Sequence, residues 1–274
     1  MKTGVLLMAH GSPDKLEEMG DYLRRVMMRR SPTPEFIAEI TERYRQIGGR
    51  SPLLDITRKQ AEALQGKLEL PVYVGMRHWT PYIHDAVEQA RRDGVERLIG
   101  LQLAPQYARV SVGAYHAELQ KTGFPCVLVN NWHLDPSLIE YWKRATRGKE
   151  FVLFTAHSIP VEGAEPYPAQ LAEMVRAIAT GPHAFAYQSR SPSPIPWLGP
   201  EVPEVLRTLY EKLPSLRSAL SAITSRCSMT STSCIASRPG SWGSHGSVFR
   251  CPTPIRSSSR RSPRRCGNTS RFWG

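Results

Sequence analysis

The chain has 274 residues and a formal net charge of +12 at pH 7. That length holds one large or two modest domains, and no run of about 18 apolar residues marks a membrane span. The charge would point to nucleic acid if it were spread over the chain. It is not: residues 1–212 carry 26 basic against 24 acidic residues, whereas the stretch from Leu213 onward carries ten Arg, no Lys and no acid. No nucleic-acid partner is expected. Four of the five cysteines (Cys227, Cys234, Cys251 and Cys266) lie in that same stretch, and only Cys126 lies in the body. A reduced, cytoplasmic setting is therefore expected for the body.

In chain order, Lys2 to Met8 reads as a strand rather than a signal peptide. Asp14 to Met28 reads as an irregular helix, broken by Ser-Pro-Thr-Pro at Ser31 to Pro34. Phe36, Ile37, Ile40, Tyr44 and Ile47 form one face of the next helix, which Gly48-Gly49 stops. A helix over Asp55 to Leu68 leads to a strand at Val72 to Met76. Thr80-Pro81 reads as an N-cap with proline at the first helical position, ahead of the apolar stripe Ile83, Ala86, Val87 and Ala90. Strands at Leu98 to Leu103 and Cys126 to Val129 alternate with helices at Val110 to Lys121 and from Asp135-Pro136 to Ala145. The scheme repeats with strand Phe151 to Thr155, helix Pro168 to Ala179, strand Ala184 to Gln188 and helix Val202 to Lys212. Such alternation predicts an α/β fold built on doubly wound parallel sheet.

Two segments carry the same pattern. Val5 to Pro13 reads V-L-L-M-A-H-G-S-P, and Phe151 to Pro160 reads F-V-L-F-T-A-H-S-I-P. Each is an apolar strand followed by Ala-His, a small residue and then Pro. His10 and His157 thus fall at the carboxyl ends of equivalent strands, where open α/β sheets bind ligands. An imidazole there can pass protons or bind a divalent metal near neutrality. The repeat predicts two similar halves, each bringing one histidine to a shared cleft.

Five stretches in order carry a family resemblance: R-Y-R-Q-I-G-G-R-S-P-L (Arg43 to Leu53), G-M-R-H (Gly75 to His78), L-A-P-Q-Y (Leu103 to Tyr107), F-T-A-H-S-I-P, and Y-Q-S…P-W-L-G-P (Tyr187 to Pro200). Together they resemble the ferrochelatases, most of all the short bacterial enzymes that use coproporphyrin. The resemblance implies two Rossmann-like halves that hold a porphyrin while Fe2+ is inserted. It implies His157 as the catalytic histidine, acting as metal ligand or proton acceptor. It implies Arg43, Tyr44, Ser51 and Tyr115 along the porphyrin and its carboxylates, and Arg77 and His78 in an outer, second-metal region. His10 stands where the family has a tyrosine that can ligate the product iron, and histidine can keep that role. The family's propionate-binding arginine aligns with Met27, which leaves Arg30 as a candidate replacement. Fe2+ is then a substrate. No organic cofactor is expected, nor a 2Fe-2S cluster on the terminal cysteines, and the chain is expected to be a monomer. Coproporphyrin III is the expected substrate ahead of protoporphyrin IX. A sirohydrochlorin or cobalt chelatase, and a porphyrin-binding protein without catalysis, are the alternatives.

These readings divide the chain into a first half over residues 1–147, a truncated second half over 148–212 and an aberrant tail over 213–274. The family's second signature, with its catalytic glutamate, is missing after Lys212, and 16 of the last 62 residues are serine. Reading the third base of each codon with the next two restores it. Leu216 to Ser218 then permits Pro-Val-Gly, Ala219 to Thr224 permits Phe-Val-Gly-His-His, and the run continues as Leu-Glu-Val-Leu-Tyr-Asp. A single-base frameshift near Lys212 to Pro214 is therefore expected, followed by a disordered tail.

Overall fold

The structure, a computed structural model, describes residues 1–27, 31–191, 194–212 and 235–237. The chain divides into two units. One is Met1–His133 with Gly163–Gln170; the other is Leu134–Glu162 with the chain from Leu171 onward. The segment Gly163–Gln170, from late in the sequence, thus belongs with the first unit.

In the first unit the apolar run after Lys2 forms β1 (Thr3–Ala9), with every residue from Gly4 to Ala9 buried. A strand covered on both faces needs such a continuous run rather than alternation. Around it lie β2 (Val72–Met76), β3 (Arg97–Gln102) and β4 (Cys126–Leu128), in the order β2-β1-β3-β4. All the pairings are parallel. Helix α4 (Ile83–Arg92) lays Ile83, Ala86, Val87 and Ala90 into a core with Leu6, Met8 and Leu98. Helix α5 (Val112–Lys121) adds Tyr115 and Leu119 to that core.

On the amino-terminal side, α1 (Met19–Met27) follows a short 3-10 turn at Leu16–Glu18. Helix α2 (Pro34–Gln46) starts where the Thr33 hydroxyl accepts the Phe36 N–H at 3.2 Å. Phe36, Ile37, Ile40 and Tyr44 pack on Met19, Tyr22, Leu23 and Trp79. Ile47, expected on the same face, lies past the helix end and is 56% exposed. Helix α3 (Leu53–Leu68) leads into β2. The start of α4 also differs from the sequence reading. Thr80-Pro81 does not cap it, because the Pro81 carbonyl accepts the Met76 N–H at 2.7 Å and so prolongs the end of β2. The helix begins instead after Tyr82, whose N–H is met by the Asp85 carboxylate at 3.3 Å.

In the second unit, α6 (Pro136–Thr146) is capped by Asp135, whose carboxylate accepts the Ser137 and Leu138 N–H groups. Strand β5 (Phe151–His157) runs parallel to β6 (His183–Gln188) over six register pairs, Val152↔His183 to His157↔Gln188. Helix α7 (Tyr167–Ile178) joins them, its first turn lying in the segment that belongs with the first unit. Phe151, Leu153 and Ala186 pack against Val202, Val205, Leu206 and Leu209 of α8 (Val202–Lys212). Within the tail only β7 (Ile235–Ser237) is described; it pairs antiparallel with Phe151 to Leu153. The rest of the expected disordered tail, its four cysteines and Arg30 lie outside the described residues. Among the described residues no helix is long and apolar enough to cross a membrane.

Candidate functional site

In the first unit the site grows from the ends of β1 and β2. Their last register pair is Ala9↔Met76. The pairing continues past it: the Arg77 N–H donates to the Ala9 carbonyl and the His78 N–H to the His10 carbonyl, both at 2.9 Å. The His10 and His78 rings lie 4.5 Å apart, tilted by 50°. Gly11 makes this approach possible. Its φ is +87°, and a Cβ there would sit 2.8 Å from the Trp79 nitrogen and 3.0 Å from the Met76 Cβ.

The rings continue outward. Tyr22 of α1 meets His10 edge-on at 6.4 Å and Trp79 edge-on at 6.0 Å. The Tyr22 hydroxyl is hydrogen-bonded to that of Tyr44, and burial raises the pKa of both phenols. They stay neutral at physiological pH. His78 is also held neutral: burial, then the neighbouring His10 and Arg77, push its pKa down to about 3. His10 itself is exposed to solvent. His78, Tyr22 and Trp79 are buried, so this run of rings exposes only His10 at its outer edge.

The other predicted residues of this unit lie on separate elements. Arg43, on α2, pairs with Glu39 one turn away. Ser51 accepts the Leu53 N–H at 3.2 Å at the start of α3. Tyr115 is buried under α5, its phenol pushed up to about 12 by burial. The Arg77 guanidinium lies 5.8 Å from its ring centre and donates to the Val110 carbonyl at 3.3 Å.

In the second unit His157 is the last residue of β5. Its side chain reaches solvent, yet the surrounding protein lowers its pKa by desolvation. The next residues are tied down. The Ser158 N–H donates to the Gln188 carbonyl at 2.8 Å, and its hydroxyl to the Leu198 carbonyl at 2.7 Å. The Leu198 N–H donates to the Ile159 carbonyl, and the Val161 N–H to the Pro196 carbonyl, each at 3.0 Å. The Trp197 loop thus braces the turn that carries His157. A neutral, solvent-exposed imidazole on a braced strand end can take up a proton or a metal ion. Among the described residues, no three His, Cys, Asp or Glu side chains come together in a metal-binding group.

Comparison with known proteins bears on what this chemistry serves. The family model described as ferrochelatase matches residues 2–222. The chain is 40% identical over 238 residues to the coproporphyrin III ferrochelatase of Halalkalibacterium halodurans, covering 77% of each. It is 36% identical over 241 residues to coproporphyrin III ferrochelatase 1 of Bacillus cereus, covering 77% of this chain and 78% of that one. A Geobacillus coproporphyrin III ferrochelatase is 34% identical over 241 residues, with the same coverage. The chain belongs to the ferrochelatase family. Membership places it among the metal-inserting lyases that act on porphyrin.

The repeated strand pattern predicts His10 and His157 at strand ends, and the structure has His10 directly after β1 and His157 as the last residue of β5. The packing of Tyr22 and Trp79 beside His10 is not legible in that pattern. Tyr22 lies on the buried face of α1 with Met19 and Leu23, and Trp79 in a turn. A signal for Trp79 was its place directly after G-M-R-H.

Proposed function

We propose that the chain inserts Fe2+ into coproporphyrin III, with His157 as the group that meets the reacting centre. The reaction removes two pyrrole protons and strips water from Fe2+ while the ring is distorted. The observation that carries the assignment is the His157 imidazole, accessible and held neutral at the braced end of β5. A depressed pKa keeps the imidazole neutral at pH 7, the form that can ligate the ion or accept a pyrrole proton. The names of the relatives from Halalkalibacterium halodurans and Bacillus cereus favour coproporphyrin III over protoporphyrin IX. In this reading the rings around His10 and Tyr44 face the macrocycle, and Arg43 and Ser51 take its carboxylates. His10 ligates the product iron in place of a tyrosine, and Tyr115 braces the wall from beneath.

A frameshift after Lys212 belongs to the same proposal. The family match ends at residue 222. Acidic residues are absent beyond Lys212, while the alternative frame permits Pro-Val-Gly-Phe-Val-Gly-His-His-Leu-Glu. The glutamate that would share the metal with His157 is then lost, and the chain as it stands metallates porphyrin slowly. This same loss supports a second reading, a protein that binds porphyrin without inserting metal.

An anaerobic assay of Fe2+ insertion, followed by the porphyrin absorption bands, tests the substrate assignment on the frame-restored chain. Turnover is expected with coproporphyrin III and at a lower kcat/KM with protoporphyrin IX. Faster turnover of sirohydrochlorin with Co2+ would overturn it. Resequencing the DNA across the codons for Lys212 to Pro214 tests the frameshift; an unbroken frame matching this tail refutes it.

A further inference from the structure

Segment 163–170 lies within the first unit, although the chain on either side of it belongs to the second. Ala164, Tyr167 and Gln170 of this segment are buried. Two of its attachments fall on the loop between β3 and α5. The Gln170 side-chain carbonyl accepts the Tyr107 N–H at 2.7 Å, across 63 residues of sequence. Gly163 has φ +73°, and the Arg109 guanidinium occupies the space that a side chain would take there; a Cβ would sit 2.7 Å from its Nη2. We infer that Gln170 is a positioning residue for the porphyrin reaction: by holding Tyr107 it fixes the loop that keeps Arg77 and Tyr115 in place. Resting on the reading in which Tyr115 braces the wall of the macrocycle site, the role of Gln170 is to hold that wall still.

The loop joins these groups step by step. Near its start the Trp132 N–H donates to the Pro105 carbonyl at 2.9 Å. Further on, the Ser111 and Gly113 N–H groups both donate to the Ala108 carbonyl at 3.1 Å, where α5 begins. The Tyr107 side chain lies against that helix start, since a Cβ on Gly113 would meet its hydroxyl at 3.0 Å. One residue past Arg109, the Val110 carbonyl accepts from the Arg77 guanidinium at 3.3 Å. That guanidinium in turn lies 5.8 Å from the Tyr115 ring centre. Gln170 thus stands at one end of a series that runs through Tyr107, Val110 and Arg77 to Tyr115. A part-buried N–H that loses its acceptor is unfavourable, so the loop shifts to find another. The shift draws the Val110 carbonyl off Arg77 and loosens the wall around Tyr115. Misplacement of that kind weakens the hold on a rigid, flat ligand, whereas the proton-accepting group is His157, on a different strand.

The test is a titration of metal-free coproporphyrin III into the full chain, followed by the porphyrin absorption bands and read as affinity per folded protein. Gln170→Met keeps the length of the side chain and removes the acceptor; it should weaken binding about tenfold, the scale of one hydrogen bond. Gln170→Glu keeps an acceptor in place and should recover most of that loss. Amide hydrogen exchange at Tyr107 should quicken in Gln170→Met, the sign that the bond has been cut. In the frame-restored chain the same change should raise KM for coproporphyrin III and leave kcat within about twofold. Parent-like affinity in Gln170→Met, or equal losses in both variants, would overturn the inference and leave a structural bond only. A fall in kcat at constant KM would do the same. Absence of coproporphyrin III binding by the parent chain would instead remove the proposed function and this role with it, whereas a parent that binds no better than Gln170→Met removes this role alone.

Discussion

Strands β1 and β5 carry the same pattern and end on the same Ala-His, but their surroundings differ. Parallel strands flank β1 on both sides, over five register pairs with β2 and six with β3. Strand β5 has a parallel partner on one side, and on the other only three antiparallel pairs among the described residues. The turn after His10 is set by Gly11 packed against Trp79; the turn after His157 is set by the Ser158 hydroxyl and the Trp197 loop. The first histidine is therefore fixed by pairing with the end of the neighbouring strand, and the second by the loop that precedes α8.

The largest expected effect separates the two histidines. In the frame-restored chain, His157→Ala should lower the rate of Fe2+ insertion by about 10²–10⁴-fold, the usual range for removing a positioned proton acceptor. His10→Ala should lower it less. Equal losses would erase the distinction between the units.

Core truncation compares the strands directly. Phe154 of β5 and Met8 of β1 are both almost fully buried, at 1% and 0% exposure. Phe154→Ala should cost about 3–5 kcal/mol and Met8→Ala about 2–5 kcal/mol in urea denaturation. A Phe154→Ala cost well below that range would sharpen the contrast, because a loosely flanked strand relaxes around the cavity.

Exchanging the residue after each histidine is a finer probe. Gly11→Ser places a side chain at φ +87° and 2.8 Å from the Trp79 nitrogen, and should cost about 1–3 kcal/mol. Ser158→Gly removes a donor from the buried Leu198 carbonyl bond and should cost about 1 kcal/mol. Thermal denaturation of both variants checks the order; the reverse order would show that the loop outranks the glycine turn.

The smallest effect is pH-dependent. His78, His116 and His157 all have pKa values lowered, chiefly by burial. Each binds its proton more weakly folded than unfolded. Their contribution to stability is therefore present above the unfolded pKa of about 6.5 and is lost as pH falls below it. Denaturation midpoints should drop between pH 7 and pH 5, and His116→Gln should flatten that drop.

Much of this fold is legible in the sequence because its signals are local. The run V-L-L-M-A forms a covered strand, α2 stops just before Gly48-Gly49, and Asp135-Pro136 opens α6 where expected. What escaped was set by distant partners. Thr80-Pro81 has the chemistry of a cap, but the Met76 N–H takes the Pro81 carbonyl. Nothing local in residues 163–170 shows that the Gln170 side chain accepts the Tyr107 N–H at 2.7 Å and draws that segment into the first unit. The His10 position was readable from the repeat. Its partnership with His78 was not, because it rests on the register of β1 against β2.

The frameshift proposed after Lys212 would deprive this family member of its catalytic segment. The most direct measurement compares Fe2+ insertion into coproporphyrin III by this chain and by the frame-restored chain, at equal folded concentration. The restored chain should turn over at least about 10²-fold faster, the scale of losing one catalytic group. Equal rates, or no turnover by either, would contradict the account.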